Sequence, residues 1–227
     1  MVPSFGLLHG KHKGRTDAGK ANVNWRLPRP GRCKLAPVKF DPSRPYPPNP
    51  YDGQPAVPSF TLVSADLEEG QPLTAAQTGL GGNVSPRLTW TGFPENTRSF
   101  LITTVDPDTP HGTAWHWVLS DVPATVTSLP GGHRRNVLQV VASALFSGRR
   151  PMPGVPGSLQ RRNSLGATGF LGALPPKGDH AHRYIFAVHA LDVDHLDLDL
   201  NAKPDQVLAA AAKHVLARAQ LTGMYER

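Results

Sequence analysis

Short runs of alternating apolar and polar residues, each closed by proline, glycine or aspartate, set the strongest limit on what this chain can fold into. Ser59-Phe60-Thr61-Leu62-Val63-Ser64 alternates, and Arg87-Leu88-Thr89-Trp90 follows the turn chemistry of Gly81-Gly82-Asn83. Arg98 to Val105 is rich in Thr, Ile and Val, Trp115 to Leu119 is aromatic and branched, and Arg183 to Leu191 is a long mixed strand. Half-buried strands of this kind, separated by stiff turns, predict a mainly β fold, an antiparallel β-sandwich. One helix is expected near the C-terminus, from Pro204 to Leu221. There Val207, Leu208, Ala211, Val215, Leu216 and Ala219 recur at helical spacing, and Pro204 suits a first turn. Gly223-Met224-Tyr225 then returns to extended chain.

Charge divides the chain unevenly. Of the net +7, residues 1–48 carry +8, ten Lys or Arg against Asp17 and Asp41, while residues 49–227 carry −1. The first segment has no strand or helix period and ends in Arg44-Pro45-Tyr46-Pro47-Pro48, so it reads as a basic, proline-rich, disordered tail before a folded domain at 49–227. Within that domain residues 131–164 are irregular and carry six arginines, Arg134, Arg135, Arg149, Arg150, Arg161 and Arg162. They read as a long basic surface loop, with an apolar run from Val137 to Phe146 that suits either helix or strand.

The single cysteine, Cys33, leaves no disulfide framework and no cysteine-based zinc site, and it fits a reducing, cytoplasmic setting. There is no apolar run long enough to span a membrane and no secretory signal. No cofactor motif and no metal-ligand spacing occurs.

Three clusters could carry chemistry. Asp106-Pro107-Asp108-Thr109-Pro110 ends a strand on two carboxylates held by prolines. Trp115-His116-Trp117 follows, and strict alternation would point His116 away from both tryptophans. Pro175-Pro176-Lys177-Gly178 precedes His182-Arg183-Tyr184, where His182 and Tyr184 share one face. An imidazole beside a carboxylate favours its protonated form, and two such rings with a phenol and loop amides suit a phosphate or similar anion.

Taken in this order, the clusters resemble the phosphatidylethanolamine-binding protein family, the Raf-kinase-inhibitor-like proteins, and its bacterial and archaeal branch most of all. The resemblance covers Asn49 to Arg227, with Phe186-Ala187-Val188-His189-Ala190-Leu191 in support. It implies a conserved pocket for phosphate, phosphoesters or a phospholipid headgroup, formed by Asp106, Pro110, His116, Pro176, His182 and Tyr184. It also implies a non-catalytic and regulatory role, of the kinase- or protease-inhibitor kind in eukaryotic members. A protein partner is not specified, and a homodimer is left open. Thr109, Phe170 and Leu174 depart from the usual pattern: Thr109 adds a hydroxyl near the pocket, and Leu174 could narrow its mouth.

Two other classes compete. A hydrolase would use Asp106 to orient His116 as a base, but there is no Gly-x-Ser-x-Gly elbow and Cys33 lies in the tail. Nucleic-acid binding would use the tail and the arginine loop, without aromatic spacing to support it.

Overall fold

The structure is a computed structural model and describes residues 42–132 and 150–227. Eight strands are described: β1 (Thr61–Val63), β2 (Leu88–Thr91), β3 (Ser99–Asp106), β4 (Ala114–Pro123), β5 (Ser128–Leu129), β6 (Leu159–Gln160), β7 (His182–Leu191) and β8 (Val215–Tyr225). A helix, α1 (Pro204–Ala212), lies between β7 and β8. The strands form a three-stranded sheet, β1-β2-β5, and a five-stranded sheet, β6-β4-β3-β7-β8, and every pairing within them is antiparallel.

Alternation places the two layers of core. Leu62, Leu88, Trp90 and Leu129 of the small sheet meet Phe100, Ile102, Trp117, Leu119, Phe186 and Val188 of the large one, which makes a sandwich. Removal of each such large side chain from water contributes roughly 1.5–3 kcal/mol. On the other face of the large sheet Leu101, Val105, Val118, Ile185 and Ala187 pack under Tyr51, Leu196 and the α1 residues Val207, Leu208 and Ala211. With both faces covered, β3 is buried along its whole length.

The helix is half as long as the spacing suggests. Pro204 opens it and the Gln206 side chain accepts from the Lys203 amide at 2.8 Å, but it stops at Ala212. Val215 to Tyr225 is instead the long strand β8, whose Ala217, Ala219 and Leu221 face the inter-sheet core. Burial against β7 wins over helix propensity, because a run of alternating small and polar residues satisfies both periods.

The reading of 131–164 as surface loop also needs correction for its second half. Met152, Val155 and Leu159 are core residues, and Arg161 is 1% exposed. Its Nε donates to Ser120 Oγ at 2.7 Å, its other nitrogens reach the Asp199 and Leu196 carbonyls, and Asp121 stands 3.9 Å away. Val137 to Phe146, with Arg134, Arg135 and Arg149, lies outside the described residues.

Candidate functional site

β3 and β7 are paired neighbours, so the end of one and the start of the other bring Asp106 and His182 together. His182 Nδ1 lies 2.8 Å from Asp106 Oδ2, and its Nε2 lies 3.1 Å from Asp179 Oδ2. Both carboxylates and the ring are buried. Burial opposes the imidazolium, but the hydrogen bonds and charges of Asp106 and Asp179 outweigh it, and the His182 pKa rises. Asp179 is the counterpart. Its burial would raise its pKa, yet bonds from His182 and the His180 amide, with the Arg44 charge, hold it below the ordinary range.

Asp106 Oδ1 accepts the Asp108 amide at 2.8 Å, the turn expected of this proline-stiffened run. Asp108 itself faces away from the histidines. It accepts from the Arg183 amide at 2.7 Å and from the Arg183 guanidinium at 2.7 and 3.0 Å, a bidentate pair on the opposite side of β7 from His182 and Tyr184.

His116 departs from strict alternation. Thr104 pairs with Trp117 while Val105 pairs with Trp115, so His116 is the extra residue of a β-bulge. The two tryptophans therefore face opposite layers, Trp115 under α1 and Trp117 between the sheets, rather than one face together. The bulge aims His116 at Tyr184, with ring centres 5.1 Å apart and edge to face. Its Nδ1 lies 2.9 Å from the Leu171 carbonyl, which only accepts, so Nδ1 carries the proton and Nε2 presents a lone pair. Burial lowers the His116 pKa despite the charge of Asp106. Protonation is thus favoured at His182 and disfavoured at His116, where the sequence led us to expect it favoured at both.

Tyr184 is 1% exposed, and its hydroxyl makes no hydrogen bond of ordinary geometry. Burial, then the neighbouring Asp106 charge, raises its pKa far above the usual phenol range. A buried hydroxyl left with only loose contacts to Asp106 and the Leu174 backbone, beside His116, is the feature that most suggests an absent partner.

Pro176 is half-buried and closes the turn that carries Asp179, accepting its amide at 3.3 Å, with Gly178 in the left-handed region at φ 82°. Pro110 sits on an exposed turn, where no hydrogen bond ties it to the cluster; the Thr109 hydroxyl donates to the Gly112 carbonyl. Leu174 is 46% exposed, and Phe170 packs on Trp117 and Phe186. The segment before Leu174 is held close by Gly172, where a Cβ would stand 2.6 Å from the Thr78 carbonyl carbon.

Sequence reasoning missed two members. Asp179 is one turn before His182, and Gly178-Asp179 was its signal. Arg44 reaches in from the segment assigned to the tail: its guanidinium bonds Asp179 Oδ2 at 2.9 Å and also the Asp108 carbonyl. Tyr46 donates to the Ala181 carbonyl at 2.9 Å and lies under Arg183 at 4.9 Å, while Arg183 donates to the Pro47 carbonyl at 2.7 Å. Residues 42–48 are thus part of the folded domain, not tail. The site collects Asp106, Asp108 and Asp179 against Arg44, Arg183 and protonated His182, a balanced set.

A sandwich whose large sheet carries such a cluster at the junction of β3, β4 and β7 defines a class also reached by comparison. The model of the phosphatidylethanolamine-binding protein family matches residues 63–226, and the chain belongs to that family. Its relatives include the UPF0098 proteins YbcL and YbhB of Escherichia coli, 39% and 41% identical. The alignments cover 74% and 72% of this chain and 88% and 98% of theirs. The crystal structure of E. coli YbcL, described as a new member of the mammalian family, superposes with a TM-score of 0.65. It is 36% identical, over 74% of this chain and 99% of that one. A homologue from Chlamydia trachomatis gives 0.60 at 26% identity, over 74% and 98%. No helix among the described residues is long and apolar enough to cross a membrane.

Proposed function

We propose that the cluster is a non-catalytic binding site for a small phosphate-bearing anion, either free phosphate, a phosphoester or a phospholipid headgroup. The observation that carries this reading is the buried Tyr184 hydroxyl, which has no hydrogen bond of ordinary geometry and is set against His116 and Asp106. A phosphate oxygen would accept from Tyr184, and neutral His116 would accept from a protonated phosphate oxygen through Nε2. His182, with both nitrogens on carboxylates, would hold charge and position Asp106 rather than touch the ligand. Arg44, Arg183 and His182 offset the three carboxylates, without which an anion would meet net negative charge. A regulatory role of the kinase- or protease-inhibitor kind is the further reach of the same reading.

The test is calorimetric titration of the full chain with inorganic phosphate and with O-phosphoethanolamine. Tyr184→Phe and His116→Ala should each weaken binding by about 1–3 kcal/mol. Equal affinity in the wild type and both variants would overturn the proposal.

A further inference from the structure

A second polar assembly lies on the opposite face of the large sheet and is used by nothing described above. His189 on β7 pairs with Arg218 on β8, whereas His182 pairs with Tyr225 at the far end of β8. At roughly 3.3 Å per residue the two positions are about 23 Å apart along the strand. Tyr184, Phe186 and Val188 face the inter-sheet core, so His189, one residue out of phase, faces the α1 side.

Arg218 is 9% exposed and forms no ion pair with any described residue. Its Nε donates to His189 Nδ1 at 3.0 Å, one Nη donates to Gln54 Oε1, and the guanidinium lies 4.9 Å from the Tyr51 ring centre. Since His189 Nδ1 accepts, Nε2 carries the proton toward Thr103 Oγ1 at 3.2 Å, and Thr103 meets the Tyr51 hydroxyl at 2.6 Å. All of these partners are neutral. Burial and the Arg218 charge push His189 down to about 3, and burial raises Tyr51. The guanidinium thus has no carboxylate partner, and the nitrogen it leaves unbonded is not sealed from solvent but lies at a groove.

The other Nη of Arg218 has no hydrogen bond to a described residue, and the side chain lines a groove of about 440 Å³ between residues 51–59 and β8. Pro55, Ala56 and Val57 make one wall. The wall itself is fixed, because the Arg218 amide donates to the Pro58 carbonyl at 2.9 Å and Asn49 bonds Gln220 at 2.8 Å. The volume is in the range of small-ligand sites. Asp52, exposed in the lining, is the one acidic side chain there and opposes a ligand of high negative charge.

We propose that this groove is a second ligand site, separate from the family pocket, and that it takes a small monocarboxylate. The carboxylate pairs with the free edge of Arg218, and its apolar body rests on Pro55, Ala56 and Val57. The guanidinium is pre-aimed by His189, Gln54 and Tyr51, so little side-chain freedom is lost on binding.

Titration of the isotopically labelled full chain with benzoate, followed by nuclear magnetic resonance, tests it. The neutral isostere benzamide and the dianion phenyl phosphate serve as comparisons. Benzoate should bind saturably, shift the Arg218 side-chain resonance, and exceed benzamide by roughly tenfold, as a charge-assisted bond implies. Ala56→Glu, on the exposed wall and outside the buried network, should weaken benzoate several-fold, and Arg218→Gln should erase the preference over benzamide. The second variant removes a buried group and can fail to fold, which is why the first is decisive. Equal binding of benzoate and benzamide, stronger binding of phenyl phosphate, indifference to Ala56→Glu, or shifts centred on His116 and Tyr184 would each overturn the proposal.

Discussion

His189 makes the acid sensitivity of this fold calculable. It is fully buried, accepts from Arg218 and donates to Thr103, so the native state needs the neutral ring, and its pKa falls from 6.5 to about 3. In the unfolded chain the ring titrates near 6.5. Because the folded pKa is the lower one, the unfolded state binds the extra proton between those values, and stability falls as pH falls through that window. At 1.36 kcal/mol per pH unit below 6.5, the loss from this residue between pH 7 and pH 5 is about 2 kcal/mol. His189→Gln keeps a donor and an acceptor but does not titrate. Urea unfolding of both proteins at the two pH values isolates the term, because all other groups are shared. The wild type should lose about 2 kcal/mol more than the variant on acidification. An equal loss in both would show that His189 is not held neutral by burial and Arg218.

Other predictions follow from the site. His182→Ala leaves buried Asp106 without its cation and Asp179 with Arg44 alone, and should cost about 3 kcal/mol or more in denaturant unfolding, so an unchanged midpoint would contradict the ion triad. Tyr184→Phe removes a hydroxyl that makes no hydrogen bond of ordinary geometry and should change stability by less than about 1 kcal/mol, whatever it does to anion binding. Asp106→Asn should bring the His182 resonance, followed by proton–nitrogen correlation, to a lower titration midpoint; no movement would mean that Asp106 does not set its charge. Gly172→Ala should destabilise by about 2 kcal/mol or more in the same unfolding assay, since its Cβ would meet Thr78 and Gly79 backbone rather than a side chain able to yield.

What the sequence disclosed was local order and the identity of the polar clusters; what it hid was set by contacts between distant segments. The strands were legible because their apolar residues alternate, and Asp106, His116, His182 and Tyr184 because prolines, aromatics and histidines stand out against that pattern. The bulge at His116 was not legible. It arises from the registry of β4 on β3, which no property of Trp115-His116-Trp117 alone reveals. Val215 to Leu221 misled because small residues at positions three or four apart also satisfy alternate spacing, and only the β7 edge decides. Arg161 looked like one of six surface charges, yet its carbonyl partners lie some thirty-five residues away at Leu196 and Asp199. Arg44 was lost in the general basicity of the first residues, although its ion pair with Asp179 fixes that segment to the site.

In the proposed site an oxyanion would lie between the Tyr184 hydroxyl and the His116 ring. A crystal structure of the full chain soaked with O-phosphoethanolamine tests it most directly. Phosphate density within hydrogen-bonding distance of Tyr184 Oη and His116 Nε2, with His182 still bridging Asp106 and Asp179, is the predicted result. Density confined to surface arginines, with the Tyr184 hydroxyl still alone, would contradict it.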